Sequence, residues 1–445
     1  MKIVFLLWAL FTTISKISCS CRKSYATICD SINDYTKYDH AKSTEVIIDA
    51  SSLPSSIRRP VHMSVFSDVI SLTIIGHLNG IQPEKECFGG SVLKFVNLYG
   101  NDLKILKVGS FPRMSKIYKL NLVENNIESI QAETFALCQP EIIDLSDNKI
   151  EVIETYTFTS PITQNLTKVI ILENNKITTV DRYSLSPELR LLNLNKNSLS
   201  FIEKEVFEHL TKLETLVLSR NKFSTFSIAE FPQNLKLLDV SYNRITRLLG
   251  GSSEKKKNLE YLNLSHNKIS IIQSNAFVGF EKLASLDLSY NRIQNVNFLA
   301  PIHKNWIQVS LAFNLLKEIH FDIAPREKLS HVSIALYGNP WRCTDWIYIQ
   351  RYLIEKKVKH LSCDLKHFSD GQVPFCLCHV ADCTFFPKIY SKDHSDFSMS
   401  EHYVVAEFLN VVNSNKNLKT CEFFSKRESL KYFIHDPILS LNMCE

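Results

Sequence analysis

Few of the residues able to do chemistry in this 445-residue chain fall into a recognisable pattern. The densest group is "CLCHVADC", Cys376 to Cys383, which sets Cys376, Cys378 and Cys383 beside His379. Thiols and an imidazole are zinc donors, but a structural zinc needs four ligands at set intervals, and this spacing matches no standard set. In an oxidising compartment the same thiols form a disulfide cluster, which is the reading adopted. There is no G-x-S-x-G, H-E-x-x-H or phosphate-loop motif, and the fourteen histidines fall without a base or ligand pattern. The sequence therefore predicts no enzyme, no cofactor and no metal. Two asparagines, Asn165 in "NLT" and Asn263 in "NLS", are acceptors for N-linked glycans.

The compartment follows from the chain's start and its cysteines. Residues 1–20, MKIVFLLWALFTTISKISCS, carry a basic Lys2, an apolar run from Ile3 to Leu10 and small residues before Cys21. That is the plan of a secretory leader cut after Ser20. No later window reaches the roughly 20 apolar residues of a membrane span, so the expectation is a secreted, extracellular protein. Twelve cysteines less Cys19 leave eleven: Cys21, Cys29, Cys87, Cys138, Cys343, Cys363, Cys376, Cys378, Cys383, Cys421 and Cys444. An odd total leaves one thiol free or bonded to another chain, so a disulfide-linked dimer stays open. Cys138, beside Phe135 and Leu137, reads as a buried inert thiol. The formal charge of +5 falls to +3 without Lys2 and Lys16, too small and too dispersed a surplus to indicate nucleic acid.

What positions these residues is a repeat. "LEYLNLSHNKISII" (Leu259 to Ile272) recurs with small edits, and its asparagine falls at 101, 125, 148, 175, 197, 221, 243, 267, 291, 314 and 339. The spacings run 24, 23, 27, 22, 24, 22, 24, 24, 23 and 25. Weaker units precede these at VIIDASSL (Val46 to Leu53) and VISLTIIGHLNGI (Val69 to Ile81). A period in this range sustained over so many units is a leucine-rich repeat array. In "LKLLDVSYNRI", Leu238 and Val240 alternate with Asp239 and Ser241 as in a short strand. The asparagine ends the strand and offers its amide to backbone groups of adjacent turns that burial would leave unpaired. Phe111, Phe135, Phe158, Phe207 and Phe277 fill the convex side. A single unit leaves its leucines wet, so stacking creates the core.

The expected fold is an α/β solenoid: a curved leucine-rich-repeat horseshoe with a parallel concave sheet, disulfide caps and a small C-terminal Cys-rich domain. The expected divisions are a leader at 1–20, an N-terminal cap at 21–45, about 13 repeats over 46–339, a C-terminal cap at 340–364 and a Cys-containing domain at 365–445. Cys21 and Cys29 bracket the N-terminal cap. In the last domain, SEHYVVAEFLNVV after Ser400 and SKRESLKYFI after Ser425 read as short helices with capping serines. "GNPWRCTDWIYIQRYLIEKKVKHLSCD" (Gly338 to Asp364) resembles the C-terminal cap of extracellular leucine-rich proteins, matching at Asn339, Pro340, Trp341 and Cys343. That resemblance implies a helix over the last core turn and Cys363 as a partner for Cys343. Asp345 stands where the family carries a second cysteine, and Cys376 and Cys378 are the available substitutes.

The residue before each asparagine forms a column ordered by chemistry: Gly100, Glu124, Asp147, Asn174, Lys196, Arg220, Tyr242, His266, Tyr290, Phe313 and Gly338. Tyr261 and Tyr337 thicken its aromatic end. Exposed aromatics beside arginine anchor protein interfaces, so Lys196, Arg220, Tyr242, Tyr261, His266, Tyr290 and Phe313 are the candidate partner-binding residues. The alternative is that they pack on one another as filler between strands. A glycan on Asn263 would obstruct the concave side and move an interface toward the rim. Over residues 21–364 the architecture resembles the secreted leucine-rich-repeat immune proteins of insects, especially the mosquito group. Members with coiled-coil tails pair through them and hold complement-like thioester proteins. No heptad tail follows residue 364, so the resemblance is to a coil-less member. It implies a non-enzymatic scaffold that binds a complement-like circulating protein in innate immune recognition; a secreted or cell-surface adhesion ligand or matrix protein is the second expectation.

Overall fold

The computed structural model describes residues 92–108, 110–111, 117–136, 138–161, 166–227, 230–250, 258–299, 308–317, 332–336 and 338–342, with shorter pieces at 22–23, 27–29, 45–49, 69–76, 348–349, 352–353, 357–360, 375–378 and 402–405. Two compact units emerge. The first holds residues 1–223 and 228–239, the second 224–227 and 240–445.

The first unit is a right-through stack of turns. A hairpin of Arg22–Lys23 against Thr27–Cys29 opens it, and Thr27–Cys29 then pairs in parallel with Glu45–Asp49. From there each strand lies parallel to the next through Ser71–Ile75, Phe95–Asn97, Lys119–Asn121, Ile142–Asp144, Val169–Ile171, Leu191–Asn193, Thr215–Val217 and Leu237–Asp239. The second unit repeats the plan in Tyr261–Asn263, Ser285–Asp287, Gln308–Ser310, Ser333–Ala335 and Lys359–His360. The register pairs equivalent residues, Leu262 with Leu286 and Leu286 with Val309, so a one-residue slip would turn every leucine out of the core. Parallel pairing is possible because each turn supplies the return path that a parallel strand requires.

Inside each turn the periodic aliphatics are sealed: Leu259, Leu262, Leu264, Ile269 and Leu283 are all buried, as are their equivalents. The expected phenylalanines form the second wall. Phe111, Phe135 and Phe158 stack with centroids 5.6 and 5.5 Å apart, and Phe277 packs on Phe280 and Phe298. Lys204–Val206 and Asn297–Leu299 are 3-10 turns on the return path.

The asparagine supplies the polar seal. Asn267 donates through Nδ2 to the carbonyls of Val240 (3.0 Å) and Leu264 (3.1 Å), and its Oδ1 accepts from the Ile245 N–H (3.0 Å). Asn125, Asn148, Asn175, Asn197, Asn291, Asn314 and Asn339 make the same bridge from their own turn to the one before. A buried amide with both ends committed is stabilising only because every partner is met.

One expectation is corrected. The segment after Ser400 contains a strand, His402–Val405, antiparallel to Phe375–Cys378, rather than beginning a helix. Tyr403, Val404 and Val405 are β-branched or aromatic and suit a strand better than a helix. Phe375–Cys378 also pairs with Trp341–Arg342. The side chains of Cys29, Cys376 and Cys378, and all of Cys21, Cys87, Cys343, Cys363, Cys383, Cys421 and Cys444, lie outside the described residues, and the disulfide caps, the Cys-rich domain and the cap helix lie largely outside with them.

Candidate partner-binding surface

Each column residue before a ladder asparagine is left-handed: φ is +51° at Glu124, +52° at Lys196, +54° at Arg220, +53° at Tyr242, +52° at His266, +53° at Tyr290 and +52° at Phe313. For a residue with a Cβ this costs on the order of 1 kcal/mol. The geometry is compensated by the next turn. The Tyr242, His266 and Tyr290 N–H groups donate to the carbonyls of Ser265 (3.0 Å), Ser289 (3.0 Å) and Ala312 (2.9 Å). The corner turns the chain off the strand and aims its N–H along the stack.

In the second unit the same corner brings four rings into register. Tyr242 stacks on His266 with centroids 3.9 Å apart and planes within 8°; His266 stacks on Tyr290 at 4.1 Å, and Tyr290 on Phe313 at 4.3 Å. Gly338, the next corner, ends the ladder: a Cβ there would lie 2.3 Å from Phe313 Cδ1. The faces of His266 and Tyr290 are therefore consumed by their neighbours, and the ladder offers ring edges and hydroxyls. Tyr242 is exposed, and His266, Tyr290 and Phe313 are half-buried. Partial burial, then the nearby Tyr242 and Asp287, push the Tyr290 hydroxyl above its usual value. Asp287, buried beneath this edge, is also raised by desolvation, against hydrogen bonds from Ser289 and Ser310 that pull the other way.

The structure thus joins Tyr242, His266, Tyr290 and Phe313. It separates Tyr261, which is 8% exposed in the strand Tyr261–Asn263 and lies outside the ladder; close strands bury a side chain that alternation alone points outward. Lys196 and Arg220 occupy the same corner in the first unit, Lys196 within 3.7 Å of the Glu173 carboxylate. Tyr337 and Asn165 lie outside the described residues. Asn263 is half-buried, its Oδ1 accepting from the Ser265 N–H at 3.0 Å. Among the described residues no His, Cys, Asp and Glu group is placed to hold a metal ion, and no helix is long and apolar enough to cross a membrane.

Reading only the column missed a second group, Phe95, Tyr99 and Tyr118 in the first unit. Phe95 and Tyr118 meet edge to face at 5.5 Å, and the Tyr99 hydroxyl donates to Glu124 at 2.5 Å. All three rings are exposed. The signal lay in "KFVNLYGN", where Phe95 and Asn97 alternate outward on the strand and Tyr99 continues the alternation into the turn.

Two family models match: a leucine rich repeat at residues 187–231 and 233–293, and a BspA type leucine rich repeat region (6 copies) at residues 30–162. With the asparagine ladder, they decide the family. The chain is a leucine-rich repeat protein. Among curated leucine-rich relatives, Tsukushi of Gallus gallus is 30% identical over 188 residues, covering 36% of this chain and 50% of that protein. Toll-like receptor 5 of Homo sapiens is 40% identical over 57 residues, 13% of this chain and 7% of the receptor. The chain thus spans half or less of the curated relatives it matches. Among solved structures, the crystal structure of a TLR13–ssRNA13 complex aligns with a TM-score of 0.52 at 19% identity, over 67% of this chain and 46% of that one. That likeness establishes the repeat fold. The APL1 leucine-rich repeat domain aligns at a TM-score of 0.44 and 22% identity, over 56% of this chain and 69% of that domain. The family is one of scaffolds, typically without catalytic activity.

Proposed function

We propose that this leucine-rich repeat protein is a secreted, non-enzymatic scaffold of innate immune recognition that holds a circulating, complement-like protein along the rim carrying the aromatic ladder. The observation that supports the site is the ladder itself. Four large rings are held at left-handed corners where glycine or asparagine would be less strained, with Tyr242 exposed and His266, Tyr290 and Phe313 half-buried. Preordered aromatic edges lose little side-chain entropy on binding, which is what makes such residues interface anchors. The immune reading is supported by the architecture over residues 21–364 and by the short match to a Toll-like receptor. The partner's class comes from the resemblance alone.

The test uses the full-length secreted protein and a Tyr242→Asn/Tyr290→Asn variant. Asparagine tolerates the left-handed corner, as Asn174 does in the first unit, so the backbone is kept while the rings go. Both proteins are incubated in extracellular fluid, and bound proteins are identified by mass spectrometry. The expected result is one thioester-containing protein recovered with the native chain and lost with the variant. Equal recovery by both would place the interface elsewhere, and a different class of partner would overturn the immune assignment.

A further inference from the structure

A second column stands beside the ladder. The residue after each repeat asparagine from Asn148 to Asn291 is Lys149, Lys176, Ser198, Lys222, Arg244, Lys268 and Arg292. In the second unit Arg244, Lys268 and Arg292 are consecutive. Their stacking is fixed by backbone: the Lys268 N–H donates to the Ile245 carbonyl and the Arg292 N–H to the Ile269 carbonyl, both at 2.8 Å. All three side chains are exposed. Adjacent parallel strands lie about 5 Å apart, inside the roughly 8 Å Debye length at physiological salt. The fold therefore holds like charges close enough to repel.

Several cations elsewhere among the described residues pair with a carboxylate of a neighbouring turn. In the first unit Lys168 pairs with Glu141 at 3.0 Å, Lys212 with Glu188 at 2.5 Å and Lys236 with Glu214 at 2.9 Å. Arg244, Lys268 and Arg292 have no such carboxylate among the described residues. Hydroxyl and amide groups run alongside instead: Thr246, Ser270 and Gln294 are all exposed, and the Ser270 N–H donates to the Thr246 carbonyl at 2.9 Å.

We infer that this cationic column binds a sulfated polysaccharide. The binding is independent of the proposed protein partner. Three observations choose the ligand. The charges are spaced in a line, one per turn, as a chain anion requires. Nucleic acid bound along a strand stacks its bases on aromatic faces, and the ladder's inner faces are already covered. An extended acidic peptide gains affinity from a free sheet edge and side-chain pockets, whereas the strands here are paired on both sides from Ser285–Asp287 to Ser333–Ala335. A sulfated glycan needs only the cations and the neighbouring hydrogen-bond donors.

The test is heparin binding by the full-length protein, its Arg244→Gln/Lys268→Gln/Arg292→Gln variant, and a control of equal charge loss, Lys212→Gln/Lys236→Gln/Lys282→Gln. We expect the native protein to bind heparin but not its desulfated form, the column variant to bind about tenfold more weakly, and the control to match the native protein. Circular dichroism and melting checks that each variant is folded, and Tyr242→Asn/Tyr290→Asn should leave heparin affinity unchanged, which separates this inference from the partner reading. No heparin binding, or equal weakening in the control, would overturn it. Equally tight, equally column-dependent binding of poly-glutamate or single-stranded DNA would reassign the column to an acidic peptide or to nucleic acid.

Discussion

At the scale of the residue, the asparagines and the buried acids carry the arguments that can be checked most directly. Asn267→Leu removes the partner of three carbonyls, those of Val240, Leu264 and Ser265, and of the Ile245 N–H inside a closed turn, so a loss of about 2–4 kcal/mol in urea unfolding is expected. Asp287→Asn should act the other way. Desolvation raises the Asp287 carboxyl above its ordinary value, so folding favours the protonated form. That contribution is fully present below the unfolded carboxyl range and is lost as pH rises through the folded value. At neutral pH the ionised group is therefore a burden, and the asparagine variant should be more stable by about 1 kcal/mol. The gain should shrink as the pH approaches about 4. Equivalent asparagines already work: the Asn121, Asn193 and Asn263 Oδ1 atoms accept backbone N–H groups two residues on, as Asp287 does from Ser289 at 2.8 Å. A pH-independent difference would mean that the serine hydrogen bonds, not burial, govern this carboxylate. The ladder asparagines were legible in the sequence because their spacing is the spacing of the turns. The strain at their neighbours was not, since tyrosine, phenylalanine, lysine and arginine give no propensity signal for a left-handed corner.

At the scale of the element, the corner and the ring ladder decide one another. Gly338 and Gly100 share φ of +68°, yet a Cβ on Gly100 meets nothing within 4 Å while one on Gly338 enters the Phe313 ring. Gly100→Ala should cost roughly 1 kcal/mol, the backbone term alone. Gly338→Ala should cost roughly 1–3 kcal/mol more, since Phe313 must shift. Thermal unfolding of the two variants measures the difference, and equal losses would mean that Phe313 yields without cost. The strands, their register and the phenylalanine wall could be read from alternation and period. What could not be read was which outward residues stay accessible: Tyr261 is buried by strand neighbours, whereas Phe95, two residues before Asn97, is exposed. Accessibility depends on the size of side chains one turn away, which no single-turn pattern contains.

At the scale of the whole molecule, the cysteine count becomes a prediction. Cys138 is free and 2% exposed; its Sγ lies 3.7 Å from the Phe135 carbonyl, and burial drives its thiol far above the ordinary range. Eleven cysteines less this one leave ten, an even set. We therefore expect the secreted protein to show one thiol, mapped to Cys138 and alkylated only after unfolding. It should keep a monomer's mass on reduction, which removes the need for a disulfide-linked dimer. Labelling of another cysteine in the folded protein, or loss of a covalent mate on reduction, would restore that option. The disulfide pattern was the least legible part, because ten thiols permit many pairings and spacing selects none.

The asparagine bridge has one further consequence. Within the second unit Asn267, Asn291 and Asn314 each reach back by one turn and no farther. Cutting out one complete period would leave two ends whose donors and acceptors still meet, whereas cutting half a period would strand them. We therefore expect gain or loss of whole turns to be tolerated where smaller insertions within the corner are not. Such an array can change its reach between descendants faster than it can change the contents of any single turn.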